Sequence, residues 1–131
     1  MIKAYDGTPF TEVLTASKTL LASDSGSVFL IGTDGKVMTL PAVADVPIGT
    51  TYTFQNIGVD ANNNIRVTPA AADYIAGTAT LAASVVDLGV TDNKYIDNTK
   101  ATTIRGDSVT VTSDGTNGWT AFPINGIWAS E

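Results

Sequence analysis

The chain has 131 residues and a mass of 13.6 kDa, which suits one domain, since domains mostly run about 100–150 residues. A net charge of −6 with seven scattered Lys and Arg argues against a nucleic-acid surface, whose affinity comes from clustered cations displacing counterions. With no cysteine and no histidine, disulfide scaffolding, thiol nucleophiles, imidazole bases and the usual zinc ligands drop out together.

Charged residues make up 15% of the chain, below the roughly 25% of soluble domains, so neutral Thr, Ser and Asn must cover much of the surface. Apart from Glu12 and Glu131 every acid is Asp, a residue of turns and caps rather than helix interiors. No apolar run approaches the ~18 residues of a membrane span, and Met1–Pro9 has no signal-peptide core. The expectation is a β-rich protein made in a cytoplasm, without membrane or nucleic-acid partners.

In chain order, residues 1–13 read as an extended N-terminal arm, since Gly7-Thr8-Pro9 breaks any regular pattern and apolar residues occur singly. Ile2, Tyr5, Pro9 and Phe10 are its candidate partner-binding residues; the other reading folds the arm back on its own domain, residues 14–131. Glu12–Ala22 fits a strand or one helical turn, and strand is preferred. Ser27–Ile31 and Val37–Leu40, joined through Asp34-Gly35, read as a hairpin. Pro41 ends the second strand by removing a ladder donor.

Thr50–Asn56 alternates Tyr52 and Phe54 with Thr51, Thr53 and Gln55, as a half-buried strand does. Gly58–Asn64 reads as a loop, Ile65–Thr68 as a short strand, and Ala70–Gly77 as a bend across one end. Thr78–Val86 and Tyr95-Ile96 supply further strands. The strongest hairpin joins Asp107–Thr112 to Trp119–Phe122, with Val109 and Val111 on one face and Ser108, Thr110 and Thr112 on the other. Many short strands between Gly, Asp and Asn turns predict an all-β, single-domain antiparallel β-sandwich or β-barrel.

Candidate chemistry is sparse. Paired carboxylates for glycoside hydrolysis would need two acids at a set separation, one of them buried, whereas the Asp residues fall in turns. Asp60-Ala-Asn62-Asn-Asn64 opens like a calcium loop but has Ile65 and Ala71 where Gly and Glu are needed. An irregular site from Asp60, Asp92 or Asp97 is the remaining metal option, and a plain polar loop the simpler one. Arg105-Gly106-Asp107 matches an integrin-recognised tripeptide, yet directly precedes a strand, where Gly106 permits a bend. Trp119 reads as core. Trp128, in Gly126–Ala129, reads as an aromatic available to a partner. No catalytic, cofactor-binding or metal residue is assigned, and no enzyme activity is expected.

Ser25–Ile31, Met38–Pro41, Pro47–Phe54 and Thr99–Trp119 together resemble a β-rich module of tailed bacteriophages, found in capsid decoration (cement) proteins and in tail-fibre segments. The likeness spans about residues 14–129. A chain of this size with an arm is more similar to a decoration protein than to a fibre built of long repeats. The resemblance implies a homotrimer on the outer capsid surface, at three-fold or local three-fold positions, clamping adjacent major capsid protein subunits after assembly in the host cytoplasm. It brings no catalytic residues and no cofactor. The arm, or the Thr-rich strand faces, would make the contacts. The alternatives are a tail-fibre or receptor-binding domain and, third, a carbohydrate-binding module.

Overall fold

A computed structural model, describing residues 10–81 and 84–130, alternates the first six strands between two sheets. In one sheet β1 (Thr11–Leu14), β3 (Val28–Ile31) and β5 (Thr51–Asn56) lie side by side and parallel. In the other, β2 (Lys18–Thr19), β4 (Lys36–Thr39) and β6 (Ile65–Thr68) do the same. Each pass of the chain thus lays one strand on each sheet, and three passes stack.

Both sheets are then extended by β7 (Tyr74–Leu81), β8 (Ser84–Asp87), β9 (Ile96–Asn98), β10 (Ser108–Ser113), β11 (Gly118–Asn125) and β12 (Trp128–Ser130). The final orders are β1-β3-β5-β10-β11-β7-β8 and β12-β9-β6-β4-β2. Among the described residues the helical segments are single 3-10 turns at Ala22–Asp24, Val43–Asp45 and Lys100–Thr102. The fold is therefore all-β, as expected. Its sheets are mixed rather than antiparallel, because β7 also pairs in parallel with β11.

The expected hairpin across Asp34-Gly35 does not form. Phe29 and Ile31 of β3 and Met38 and Leu40 of the next segment are all buried, and β3 already has β1 and β5 along its two edges. The second segment therefore reaches the core from the opposite sheet. The Asp-Gly turn is real, with Gly35 at φ +72°, but it docks on the following pass: Gly35 N–H donates to the Asn64 carbonyl and Asn64 N–H to Asp34 Oδ1.

Two other boundaries shift. Strand β1 takes in Thr11–Val13, where the arm of residues 1–13 overlaps the strand preferred for Glu12–Ala22, and the expected bend at Ala70–Gly77 ends in the first half of β7. The C-terminal hairpin forms where expected, between β10 and β11.

Hydrophobic side chains from both sheets make one buried cluster. Parallel register stacks like on like: Phe29 lies beside Phe54, ring centroids 5.7 Å apart with the ring planes 20° from parallel, and Phe54 aligns with Val109. Tyr52 packs against Trp119 at 5.6 Å, which places Trp119 in the core. The opposite sheet contributes the Met38, Val67 and Ile96 row. Fully burying side chains of this size stabilises by roughly 1.5–3 kcal/mol each.

On one side β7 links the sheets. Tyr74–Gly77 pair with Gly118–Ala121 of β11, while Thr80 bridges to Ile127, just ahead of β12. Gly77 sits at the change of partner with φ +131°, and a Cβ there would lie 2.7 Å from the Ala121 carbonyl oxygen. On the opposite side the first pass closes the stack with charge. Glu12 shares register with Phe29 and Lys18 with Met38. Lys18 Nζ lies 3.8 Å from Glu12, 3.9 Å from Asp24 and 5.9 Å from the Phe29 ring centroid. Inward-pointing charge on an edge strand discourages further strand pairing.

Tyr52 carries a pH dependence. Its ring is buried and its hydroxyl donates to the Leu21 carbonyl at 2.7 Å. Burial, helped by the negative charge of Asp24, pushes its pKa up to about 12. The unfolded chain ionises this phenol near 10.0, so the stabilisation is whole below that pH and is lost as pH rises towards about 12. Tyr52→Phe is expected to cost about 1 kcal/mol at neutral pH through the lost hydrogen bond, and to weaken the alkaline destabilisation. Urea unfolding at neutral pH and at about pH 11 measures both effects.

Candidate protein-binding surface

Of the residues assigned to partner contact, Ile2, Tyr5 and Pro9 lie outside the described residues. Phe10 is 44% exposed where the chain enters β1, its carbonyl accepting from Val28 N–H. Trp128 corrects the sequence reading: it is 1% exposed, and its indole N–H donates to the Asn125 carbonyl. Proximity to the terminus misled, because β12 is hydrogen-bonded to β9 and carries Trp128 into the core.

The structure assembles a different surface. Alternation along the strands of the seven-stranded sheet sends Phe29, Ile31, Tyr52, Phe54, Val109, Val111, Trp119 and Ala121 inward. Their neighbours therefore face out: Val13, then Val28 and Leu30, then Thr51 and Thr53, then Thr110 and Thr112, then Thr120 and Phe122. Asp87 on β8 is the charged residue among the described outward strand positions of this face. A face so poor in charge stands out on a chain of net charge −6.

Down its middle runs a threonine seam. Thr51 and Thr112 hydroxyls are 3.2 Å apart, those of Thr53 and Thr110 are 2.9 Å apart, and Thr51 also donates to the Gly49 carbonyl. These hydroxyls keep partners when water leaves, which lowers the cost of covering them with protein. Beside the seam, Phe122 is 76% exposed. It sits where β11 bulges: Ala121 pairs with Val111 and Ile124 with Val109, so Phe122 and Pro123 together oppose Thr110. Sequence reasoning did not single out Phe122, although alternation from Trp119 puts it on the outward side.

The outer face of the five-stranded sheet differs. Arg66 makes a two-pronged pair with Asp97, both contacts 2.8 Å, and its guanidinium lies 3.5 Å from the centre of the Tyr95 ring. This arrangement fixes charge at the surface and uses Asp97, one of the calcium candidates. Asp60 accepts from Arg105 N–H. Among the described residues no group of three acidic side chains is placed to hold a metal ion. No helix among them is long and apolar enough to cross a membrane.

Where the sheets meet at one end, polar side chains are buried. Asn56 at the end of β5 donates to Asn98 Oδ1 of β9 at 2.9 Å. Asn98 Nδ2 in turn donates to Asp107 Oδ2 at 3.0 Å and to the Ile127 carbonyl at 3.1 Å. Asp107 Oδ2 also accepts from Ile104 N–H, and Asn56 Oδ1 accepts from Gly58 N–H and Asn63 Nδ2. Asp107 is thus 4% exposed and turned inward, so the Arg105-Gly106-Asp107 tripeptide does not present its carboxylate to solvent. Arg105 itself donates to the Ile57 carbonyl. The network ties sheet to sheet.

A second polar anchor holds the C-terminal hairpin turn. Tyr74 donates to Asp114 Oδ2 at 2.8 Å, which raises the phenol pKa. Burial works to raise the Asp114 pKa, but bonds from Thr116 N–H, the Tyr74 hydroxyl and Gly118 N–H outweigh it and hold the carboxyl below its ordinary value. No protein-family model and no curated protein matches this sequence.

Proposed function

We propose that this chain is a capsid decoration protein of a tailed bacteriophage, a non-enzymatic β-sandwich with an N-terminal arm that forms a homotrimer. It binds the outside of the shell and clamps neighbouring major capsid protein subunits. The observation that carries this reading is the broad, charge-poor outer face of the seven-stranded sheet on an otherwise acidic chain. Such a face suits contact with protein, and the phage likeness of residues 14–129 supplies the setting. Contacts that exist only in the assembled shell stabilise that state by mass action, so many weak copies suffice.

Adding the purified protein to undecorated shells is expected to give binding near stoichiometry with coat three-fold positions and a higher temperature of shell disruption. Failure to bind, or a few copies per virion by mass spectrometry, would reject it. The tail-fibre alternative draws support from the parallel stack of passes, an arrangement that can extend by repetition. Against it, three passes stack among the described residues, with the charged Glu12 and Lys18 at one end and the antiparallel strands β10 and β9 at the other.

A further inference from the structure

The charge-poor face has two unlike flanks. On one side of the threonine seam stands Phe122; on the other are Val28 and Leu30 of β3, with Val13 of β1 beyond, itself 61% exposed. The order β3-β5-β10-β11 puts three strand spacings between the flanks, about 14 Å. Neither flank can cover the other within one molecule. An aromatic side chain so exposed, centred among residues without charge, has the character of an interface anchor rather than of ordinary surface.

We infer that the occupant of this face is a second copy of the chain, with Phe122 of one copy packed against Val28 and Leu30 of the next. Charge favours self-contact. With 13 acidic and seven basic residues, two copies repel over most approaches, whereas this face brings together neutral side chains apart from Asp87 at its margin. Geometry favours it as well. Unlike patches on one face let every copy give one flank and receive the other, either reciprocally in a two-fold pair or in turn round a ring.

With the faces turned towards a common axis, the ring closes and the threonine seams line its centre. The number three rests on the decoration reading proposed above; the contact does not. The β1 and β2 edges are spared a role, since Glu12 and Lys18 guard them.

Sedimentation equilibrium of the full chain and of four variants tests the contact. The wild type is expected to have the mass of a trimer. Phe122→Asp and Leu30→Lys, each on the outer face and outside the buried cluster, are each expected to reduce the mass to one third with the thermal unfolding of a folded monomer. The double variant Phe122→Asp/Leu30→Lys places opposite charges across the contact and should restore assembly. Ile48→Asp, at a 75% exposed site in the loop ahead of β5, should leave it unchanged.

A monomeric wild type, or a Phe122→Asp chain that assembles normally, overturns the inference. A dimer that responds to the substitutions as described supports the contact and overturns the trimer. Shell binding, measured separately, judges the decoration reading: a Phe122-dependent assembly that ignores shells would sink that reading and leave this contact standing.

Discussion

Replacing Asn98 with Ala is expected to cost on the order of 3 kcal/mol, a large share of the roughly 5–15 kcal/mol that holds a domain folded. The side chain is fully buried, and its loss takes a bond from three partners at once: the amide of Asn56, which keeps only a long contact to the Asn63 carbonyl, the carboxylate of Asp107 and the carbonyl of Ile127. Each buried group left without a partner costs about 1–3 kcal/mol, more when charged. Asp107 keeps its bond from Ile104, which limits the loss. Asn125→Ala, at an exposed side chain, should stay within about 0.5 kcal/mol. Urea midpoints of the two variants make the comparison, and equal midpoints would contradict the network as described.

Gly77→Ala is expected to cost about 2–4 kcal/mol. Two effects add there: a backbone at φ +131°, which L residues avoid, and a new Cβ 2.7 Å from the Ala121 carbonyl oxygen. That oxygen is main chain and cannot swing aside, so β7 or β11 must move and the parallel pairing between them suffers. Gly35→Ala separates the two effects. Gly35 has φ +72° but nothing within 4 Å of a Cβ, so conformation alone acts, at about 1–2 kcal/mol. Calorimetric melting of both variants is the check, with Gly77→Ala melting lower.

Much of the strand content was legible because period-two burial is a local signal. Tyr52 and Phe54 against Thr51 and Thr53, and Val109 and Val111 against Thr110 and Thr112, put the correct residues inside. Partner choice was not legible. An Asp-Gly pair between two apolar runs fits a hairpin equally well when the runs lie in different sheets, because the turn sees only its own four residues, whereas pairing depends on which edges other strands have taken.

The surface was half legible in the same way. The Thr-rich strand faces were recognised, but their assembly with Val28, Leu30 and Phe122 into one face depends on the order β3-β5-β10-β11. Trp128 shows the opposite error. Its position in the sequence suggested availability to a partner, while pairing of β12 with β9 buries it.

The alternation of early strands between two sheets also bears on how the molecule comes to exist. Sheet neighbours are rarely sequence neighbours: β5 pairs with β10, β6 with β9, and β7 with β11. A nascent chain that has emerged as far as β7 therefore has unsatisfied ladders on both sheets, and closing them means bringing together distant segments. Proteins dominated by such non-local pairing fold in about milliseconds to seconds, so both sheets close only once β9, β10 and β11 are available to pair, rather than by local collapse of the first strands.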